Sequence, residues 1–130
     1  MPLSILIVDD DPSIRTLVRR MLEKVGYSVC EARNGRDAID QAAHIGQVDL
    51  FITDICMPET DGAELIRKLR RLKANTAIMA ISGVFEGELL KVADLLSVKA
   101  VLQKPFTAEE LIKAVRPATQ PTRKAPARNY

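Results

Sequence analysis

Five polar side chains of this sequence follow short apolar segments, in positions from which they could act together on one ligand. They are three carboxylates, one hydroxyl and one ammonium group: Asp9, Asp10, Asp54, Ser82 and Lys104. Carboxylates held close together repel one another and raise each other's pKa, and a divalent cation relieves that repulsion. Oxygen ligands suit Mg²⁺ or Mn²⁺, and no His or Cys stands at metal-binding spacing to favour Zn²⁺. The three acids therefore predict a magnesium or manganese site.

The same five side chains fit the chemistry of phosphoryl transfer. A carboxylate can attack phosphorus and form an acyl phosphate. A metal ion and a lysine neutralise the charge on the phosphoryl oxygens, and a hydroxyl can hold another of those oxygens. The residue types thus indicate metal-dependent phosphoryl chemistry at a carboxylate.

These side chains can meet only if the elements that precede them lie side by side. Apolar, β-branched segments alternate with segments of helical periodicity. Strands are predicted at residues 5–8, 27–32, 49–53, 77–81 and 100–102. Helices are predicted at residues 12–25, 62–73, 86–96 and 107–115, and a turn at residues 34–35 leads into a further helix that contains residues 38–43. Asp11, Asp61 and Thr107 are the predicted caps. Five such repeats predict an α/β fold with a parallel sheet between two layers of helices. Ligands bind beyond the carboxyl ends of such strands, so neighbouring strands would bring the five side chains into one crevice.

Composition excludes several other classes of protein. The 130 residues carry 19 Lys and Arg against 17 Asp and Glu, a net charge of +2, which argues against a uniformly basic nucleic-acid binder. Two cysteines and one histidine exclude a disulfide scaffold and most histidine-based catalysis. No apolar segment approaches the roughly 18 residues that span a bilayer, and no signal peptide is predicted, so no membrane partner and a cytoplasmic location are expected.

The last fourteen residues break the pattern. Residues 117–130 contain three prolines, the cations Arg123, Lys124 and Arg128, no acid and no apolar periodicity. A folded domain over residues 1–116 and a disordered, basic, proline-rich tail over residues 117–130 are therefore predicted.

Four motifs, in this order, resemble the receiver domain of bacterial two-component response regulators, the family of the chemotaxis receiver protein. They are residues 5–10 (ILIVDD), residues 54–58 (DICMP) with Asp61-Gly62, Ser82-Gly83, and Lys104-Pro105-Phe106. The resemblance covers about residues 3–116. It implies a (βα)5 flavodoxin-like fold: a doubly wound, five-stranded parallel sheet with helices on both faces.

The resemblance also implies a role for each matching residue. Asp54 would be the phosphoacceptor, and Mg²⁺ would be held by Asp9, Asp10, Asp54 and the backbone carbonyl of Cys56. Ser82 and Lys104 would bind phosphoryl oxygens. Ser82 and Val101 occupy the family's switch positions, although the family often has Tyr or Phe where Val101 stands. The remaining positions, on the first helix, would dock a partner: Ile14, Arg15 and Val18.

The function implied is that of a single-domain response regulator. It would take its phosphoryl group from a histidine kinase or a histidine phosphotransfer protein, and it would catalyse its own phosphorylation and dephosphorylation without a separate substrate. It would signal to a downstream protein of unknown identity through the face of the fourth helix, fifth strand and last helix. Nucleic acid is not an expected partner.

Two alternatives remain open from the sequence. A haloacid-dehalogenase-type phosphohydrolase would use Asp9 as nucleophile and Asp11 as general acid, since residues 8–13 (VDDDPS) resemble that signature. The short chain and the lack of a further acidic pair on a strand after Lys104 count against it. A degenerate receiver acting as a scaffold is the other alternative, which Val101 keeps open.

Overall fold

The computed structural model describes residues 2–57, 60–83 and 98–120. The strands in these ranges are β1 (Ser4–Val8), β2 (Ser28–Ala32), β3 (Leu50–Asp54), β4 (Cys56–Met57), β5 (Thr60–Asp61), β6 (Ala77–Ser82) and β7 (Ala100–Gln103). The helices are α1 (Pro12–Lys24), α2 (Gly35–His44), α3 (Gly62–Leu72) and α4 (Ala108–Thr119). The helix predicted at residues 86–96 lies outside the described residues. No helix within these ranges is long and apolar enough to cross a membrane.

Five strands form one parallel sheet in the order β2-β1-β3-β6-β7, and β4 and β5 form a separate antiparallel pair. The strand order reverses direction at β1, which pairs with both β2 and β3. A doubly wound sheet places its ligand crevice at such a point, outside the carboxyl ends of the strands. The predicted fold class is confirmed.

Both faces of the sheet are buried, which explains the continuous apolar segments. Ile5 and Ile7 of β1 pack with residues of α1 and α4 on one face. Leu6 and Val8 pack with residues of α2 and α3 on the other face. Because side chains alternate across a strand, a strand covered on both sides must be apolar at every position.

Short polar side chains set the helix starts as the sequence predicts. Asp11 accepts a hydrogen bond from the Ser13 amide and precedes Pro12. Thr107 forms a reciprocal capping box with Glu110. Each cap satisfies backbone N–H groups that the first turn leaves without partners. α1 begins at Pro12, a few residues after β1 ends at Val8, and α4 begins at Ala108, a few residues after β7 ends at Gln103.

The last helix is longer than predicted, because it was expected to end at residue 115 and ends at Thr119. α4 continues through Pro117 to Thr119. Ala118 and Thr119 are buried, and the Thr119 hydroxyl lies 3.3 Å from the Tyr27 hydroxyl. This packing stabilises the last turn despite the proline, which local patterning alone reads as a helix end. Residues 121–130 of the predicted tail lie outside the described residues.

Candidate phosphoryl-transfer and metal site

The sheet brings the predicted side chains to one edge. Asp9 directly follows β1, Asp54 ends β3, Ser82 ends β6, and Lys104 follows β7. These four strands are consecutive neighbours in the sheet. The condition that the sequence left open, that the strands be adjacent, is therefore met.

The ammonium group of Lys104 lies between two carboxylates. Its Nζ is 3.0 Å from Oδ2 of Asp9 and 2.9 Å from Oδ2 of Asp54. The Lys104 amide also donates to the carbonyl oxygen of Ser82 at 2.8 Å. The Lys104–Pro105 peptide bond is cis. The ammonium group is thus in direct contact with both carboxylates at the end of the sheet.

Burial and direct contacts together shift the pKa of Asp9 and of Lys104. Asp9 is fully buried, and burial raises its pKa. Hydrogen bonds from the Asp11 amide and Lys104 oppose that rise, and the nearby charge of Asp54 adds to it. Burial by itself lowers the pKa of Lys104, but its bonds to Asp54 and Asp9 outweigh burial and leave the pKa raised. Lys104 therefore stays charged at neutral pH, whereas ionisation of Asp9 costs free energy.

Three carboxylates could hold a cation here. Oxygen atoms of Asp9, Asp10 and Asp54 lie within 4.8 Å of one another, with Asp10 exposed and the other two buried. A donor set made of oxygen alone fits Mg²⁺, which binds proteins through one or two carboxylates and keeps other positions for water or phosphate oxygens. Because Asp10 is exposed, the site also stays open to a ligand from solvent.

Cys56 connects the ends of β3 and β6 in a way that the sequence analysis missed. Its amide donates to Oδ1 of Asp54 at 2.8 Å, and its Sγ lies 3.3 Å from Oγ of the buried Ser82. Within the described part of the chain Cys56 forms no disulfide, and it is exposed. The two contacting residues are 26 positions apart, and no local pattern joins them. The hydroxyl of Ser82 is thus positioned partly by a residue two places beyond Asp54.

The residues predicted to dock a partner separate into two groups. Arg15 donates from Nη1 to the backbone oxygen of Asp9 at 2.8 Å and pairs with Glu31 at 3.0 Å. Ile14 is half-buried beside it. Val18 is fully buried in the core, so its assignment to a docking surface is wrong. The helix turns Val18 toward the sheet and leaves Leu17 46% exposed.

Val101 and Asp11 are the two remaining positions to which the sequence analysis gave a role. Val101 is half-buried on β7 and lies in register with Ala80 of β6. Asp11, the general acid of the phosphohydrolase alternative, uses its carboxylate to cap α1. Capping α1 therefore accounts for Asp11 without a catalytic role.

Comparison with known proteins agrees with this geometry. The chain is 38% identical over 117 residues to the response regulator MprA of Mycolicibacterium vanbaalenii and 35% identical over 112 residues to the transcriptional regulatory protein ResD of Bacillus subtilis. These matches cover 89% and 86% of this chain but 50% and 46% of those proteins, so the chain spans about half the length of these curated relatives. The chemotaxis protein CheY4 of Vibrio cholerae has a similar structure, with a TM-score of 0.84, 29% identity, and coverage of 91% of this chain and 99% of CheY4.

The family assignment rests on most of the chain. Residues 5–116 match the response regulator receiver domain, and this range contains every residue of the site at the end of the sheet. The chain therefore belongs to the receiver domain family of two-component response regulators.

Proposed function

We propose that this receiver domain accepts a phosphoryl group on Asp54 in a Mg²⁺-dependent reaction. The observation that supports the proposal best is the Lys104 ammonium group in contact with both Asp9 and Asp54, with Asp10 close by. Nucleophile, counter-charge and candidate metal ligands thus share one edge of the sheet. The arrangement has the charge distribution that phosphoryl transfer requires.

Each residue would have one role. A carboxylate oxygen of Asp54 forms a bond to phosphorus while the bond from phosphorus to the donor's leaving atom breaks. The Cys56 amide holds Oδ1 of Asp54 and Lys104 holds Oδ2 before the reaction. Asp9, Asp10, Asp54 and the Cys56 carbonyl would hold Mg²⁺, which neutralises charge on the phosphoryl oxygens. Ser82 and Lys104 would bind those oxygens in the product. The domain thus catalyses its own modification and needs no separate substrate.

Receiver domains act between histidine kinases and downstream targets, and we place this chain in such a relay. The donor is a histidine kinase or a histidine phosphotransfer protein in the cytoplasm. Ile14 and Arg15 lie on α1 next to the site, where a donor must approach Asp54. Ser82 and Val101 are the switch positions through which phosphorylation changes the face that a downstream protein binds. Output would pass through that contact.

Acetyl phosphate tests the acceptor directly. With Mg²⁺, the intact mass should increase by one phosphoryl group, and chelation of Mg²⁺ should abolish the gain. Asp54→Asn should abolish it as well, because the amide is not a nucleophile toward phosphorus. Asp40→Asn, an exposed acid on α2, is the matched control and should be phosphorylated normally. A phosphoryl gain that persists in Asp54→Asn would reject Asp54 as acceptor. Steady phosphate release that survives Asp54→Asn but not Asp9→Asn would favour the phosphohydrolase instead.

Asp9→Asn should stabilise the metal-free protein at neutral pH, since burial disfavours the charged form of Asp9 more than its partners favour it. A carboxyl group whose pKa is raised by folding adds stability at low pH, and that stability is lost as the pH rises from 3.8 through the raised value. The advantage of the variant should therefore disappear below pH 3.8. Urea unfolding at both pH values measures the difference.

With Mg²⁺ present at neutral pH, the wild-type protein should be more stable than Asp9→Asn. Mg²⁺ that binds the folded state stabilises the wild-type protein by mass action, and Asp9→Asn should gain far less because it lacks one ligand. A variant that is less stable than wild type without Mg²⁺, or that gains as much from Mg²⁺, would contradict the proposed role of Asp9.

A further inference from the structure

A groove separates the C-terminal half of α1 from α4, on the face of the sheet opposite α2 and α3. Its volume is about 690 Å³, and we call it the α1–α4 groove. Met21 and Ile112 form an apolar floor and are half-buried. Val25 lies at its side and is 43% exposed. The remaining lining residues are Arg20, Lys24, Ala108, Glu109, Lys113 and Arg116. The groove is thus an apolar depression with charged edges.

The charge at these edges is mostly positive. Four exposed cations, two from each helix, line the groove with a single acid, Glu109. Arg15 and Arg19, on the same helix α1, are instead paired with Glu31 and Glu23. Within residues 2–57, 60–83 and 98–120, none of the four cations of the groove forms an ion pair. Their charge is therefore available to an acidic ligand.

Charge also argues against two occupants that the chain itself could supply. Residues 121–130 follow α4 almost directly, but they contain three cations and no acid, so the groove would repel them. A symmetric contact with a second copy would place the same cationic edges against each other. Neither occupant complements the groove.

We propose that the α1–α4 groove binds an amphipathic helix of a partner protein, with Asp and Glu flanking its apolar face. A helix laid in a groove between two helices buries its apolar face on the floor while its flanking side chains reach the edges. Nucleic acid would gain little from an apolar floor that offers no aromatic ring for base stacking. A concave floor also fits an inserted helix better than the flat surface of a membrane.

Synthetic peptides of about 18 residues, roughly five helical turns, test the groove on the unphosphorylated protein. The first peptide has a Leu face flanked by Glu. The second has Lys in place of Glu, and the third keeps Glu but has Ser in place of Leu. Fluorescence anisotropy should show binding of the first peptide alone, and that binding should weaken as salt is added. Since no phosphoryl group is involved, this result does not depend on the proposed function.

Charge reversal on the protein locates the binding. The double variant Lys24→Glu, Lys113→Glu should weaken binding of the first peptide at least about tenfold. The matched control is Arg36→Glu, Lys68→Glu, which makes the same charge change on exposed positions of α2 and α3 and should leave binding unchanged. Thermal melting confirms that both variants fold.

Three results would overturn the proposal. One is no binding of the first peptide at about 1 mM, and another is equal binding of all three peptides. The third is stronger binding of a DNA duplex or of phosphatidylglycerol vesicles that the Lys24→Glu, Lys113→Glu variant abolishes, which would assign the groove to nucleic acid or to a membrane.

Discussion

Lys104→Ala is expected to destabilise the metal-free protein by about 2–3 kcal/mol at neutral pH, because it leaves two buried carboxylates without their shared cation. Asp9 is fully buried and Asp54 nearly so, and both bond to the Lys104 ammonium within about 3 Å. The expected loss of stability is smaller than for a fully buried ion pair because 23% of the Lys104 side chain is exposed. Denaturant unfolding in the presence of a chelator measures it.

Magnesium should restore most of that stability, since it supplies the missing positive charge. Mg²⁺ affinity in Lys104→Ala should equal or exceed that of wild type, because a competing cation has been removed. The structural response to phosphorylation should be impaired, since Lys104 no longer binds a phosphoryl oxygen. Weaker Mg²⁺ binding in this variant would contradict the proposed layout.

Two control variants separate charge from packing. Lys104→Met keeps an apolar stem and should lose as much stability as Lys104→Ala, because the missing charge dominates. Lys99→Ala removes an exposed lysine near the start of β7 and should change stability by less than about 0.5 kcal/mol. If Lys104→Met is as stable as wild type, the counter-charge is not what stabilises the site.

Gly62→Ala is expected to destabilise the protein by about 2–3 kcal/mol through overpacking next to Asp54. A Cβ atom at Gly62 would lie 2.6 Å from the carbonyl oxygen of Ile55, 2.7 Å from its Cβ and 2.8 Å from its Cα. These atoms belong to the backbone or adjoin it, so no flexible side chain can move aside. The segment after Asp54 must shift instead.

That shift should also affect phosphorylation. Ile55 lies between Asp54 and Cys56, whose amide holds Oδ1 of Asp54. Gly62→Ala should therefore slow the mass gain from acetyl phosphate even where the protein remains folded. Gly46→Ala is the control, since an added Cβ there meets nothing within 4 Å. Equal stability of the two variants would show that the close approach at Gly62 is unimportant.

Local chemistry made much of the fold predictable. Asp11 with Pro12, and Thr107 with Glu110, define helix starts through hydrogen bonds that span only a few residues. The continuous apolar segments predict strands buried on both faces, because only an apolar strand can be covered twice. Helix ends were less predictable: burial of Ala118 and Thr119 carries α4 past the end predicted at residue 115.

The local sequence of α1 did not determine which of its apolar side chains face the sheet. Apolar residues of α1 recur at positions 14, 17, 18, 21 and 22, a stripe wider than the surface that the sheet covers. Periodicity predicts that stripe but not which of its edges is buried. Packing on the sheet buries Val18 and leaves Leu17 exposed, so the docking assignment of Val18 was wrong.

The sequence by itself determined the types of side chain at the strand ends, and with them the candidate chemistry of Asp54 and Lys104. Only the tertiary structure decided that their strands are neighbours, that one ammonium group contacts both Asp9 and Asp54, and that the Cys56 thiol touches Ser82. The physical reason is separation along the chain. Residue types, caps and periodicity act over a few positions, whereas Lys104 meets Asp9 across 95 residues and only the order of strands in the sheet sets that distance.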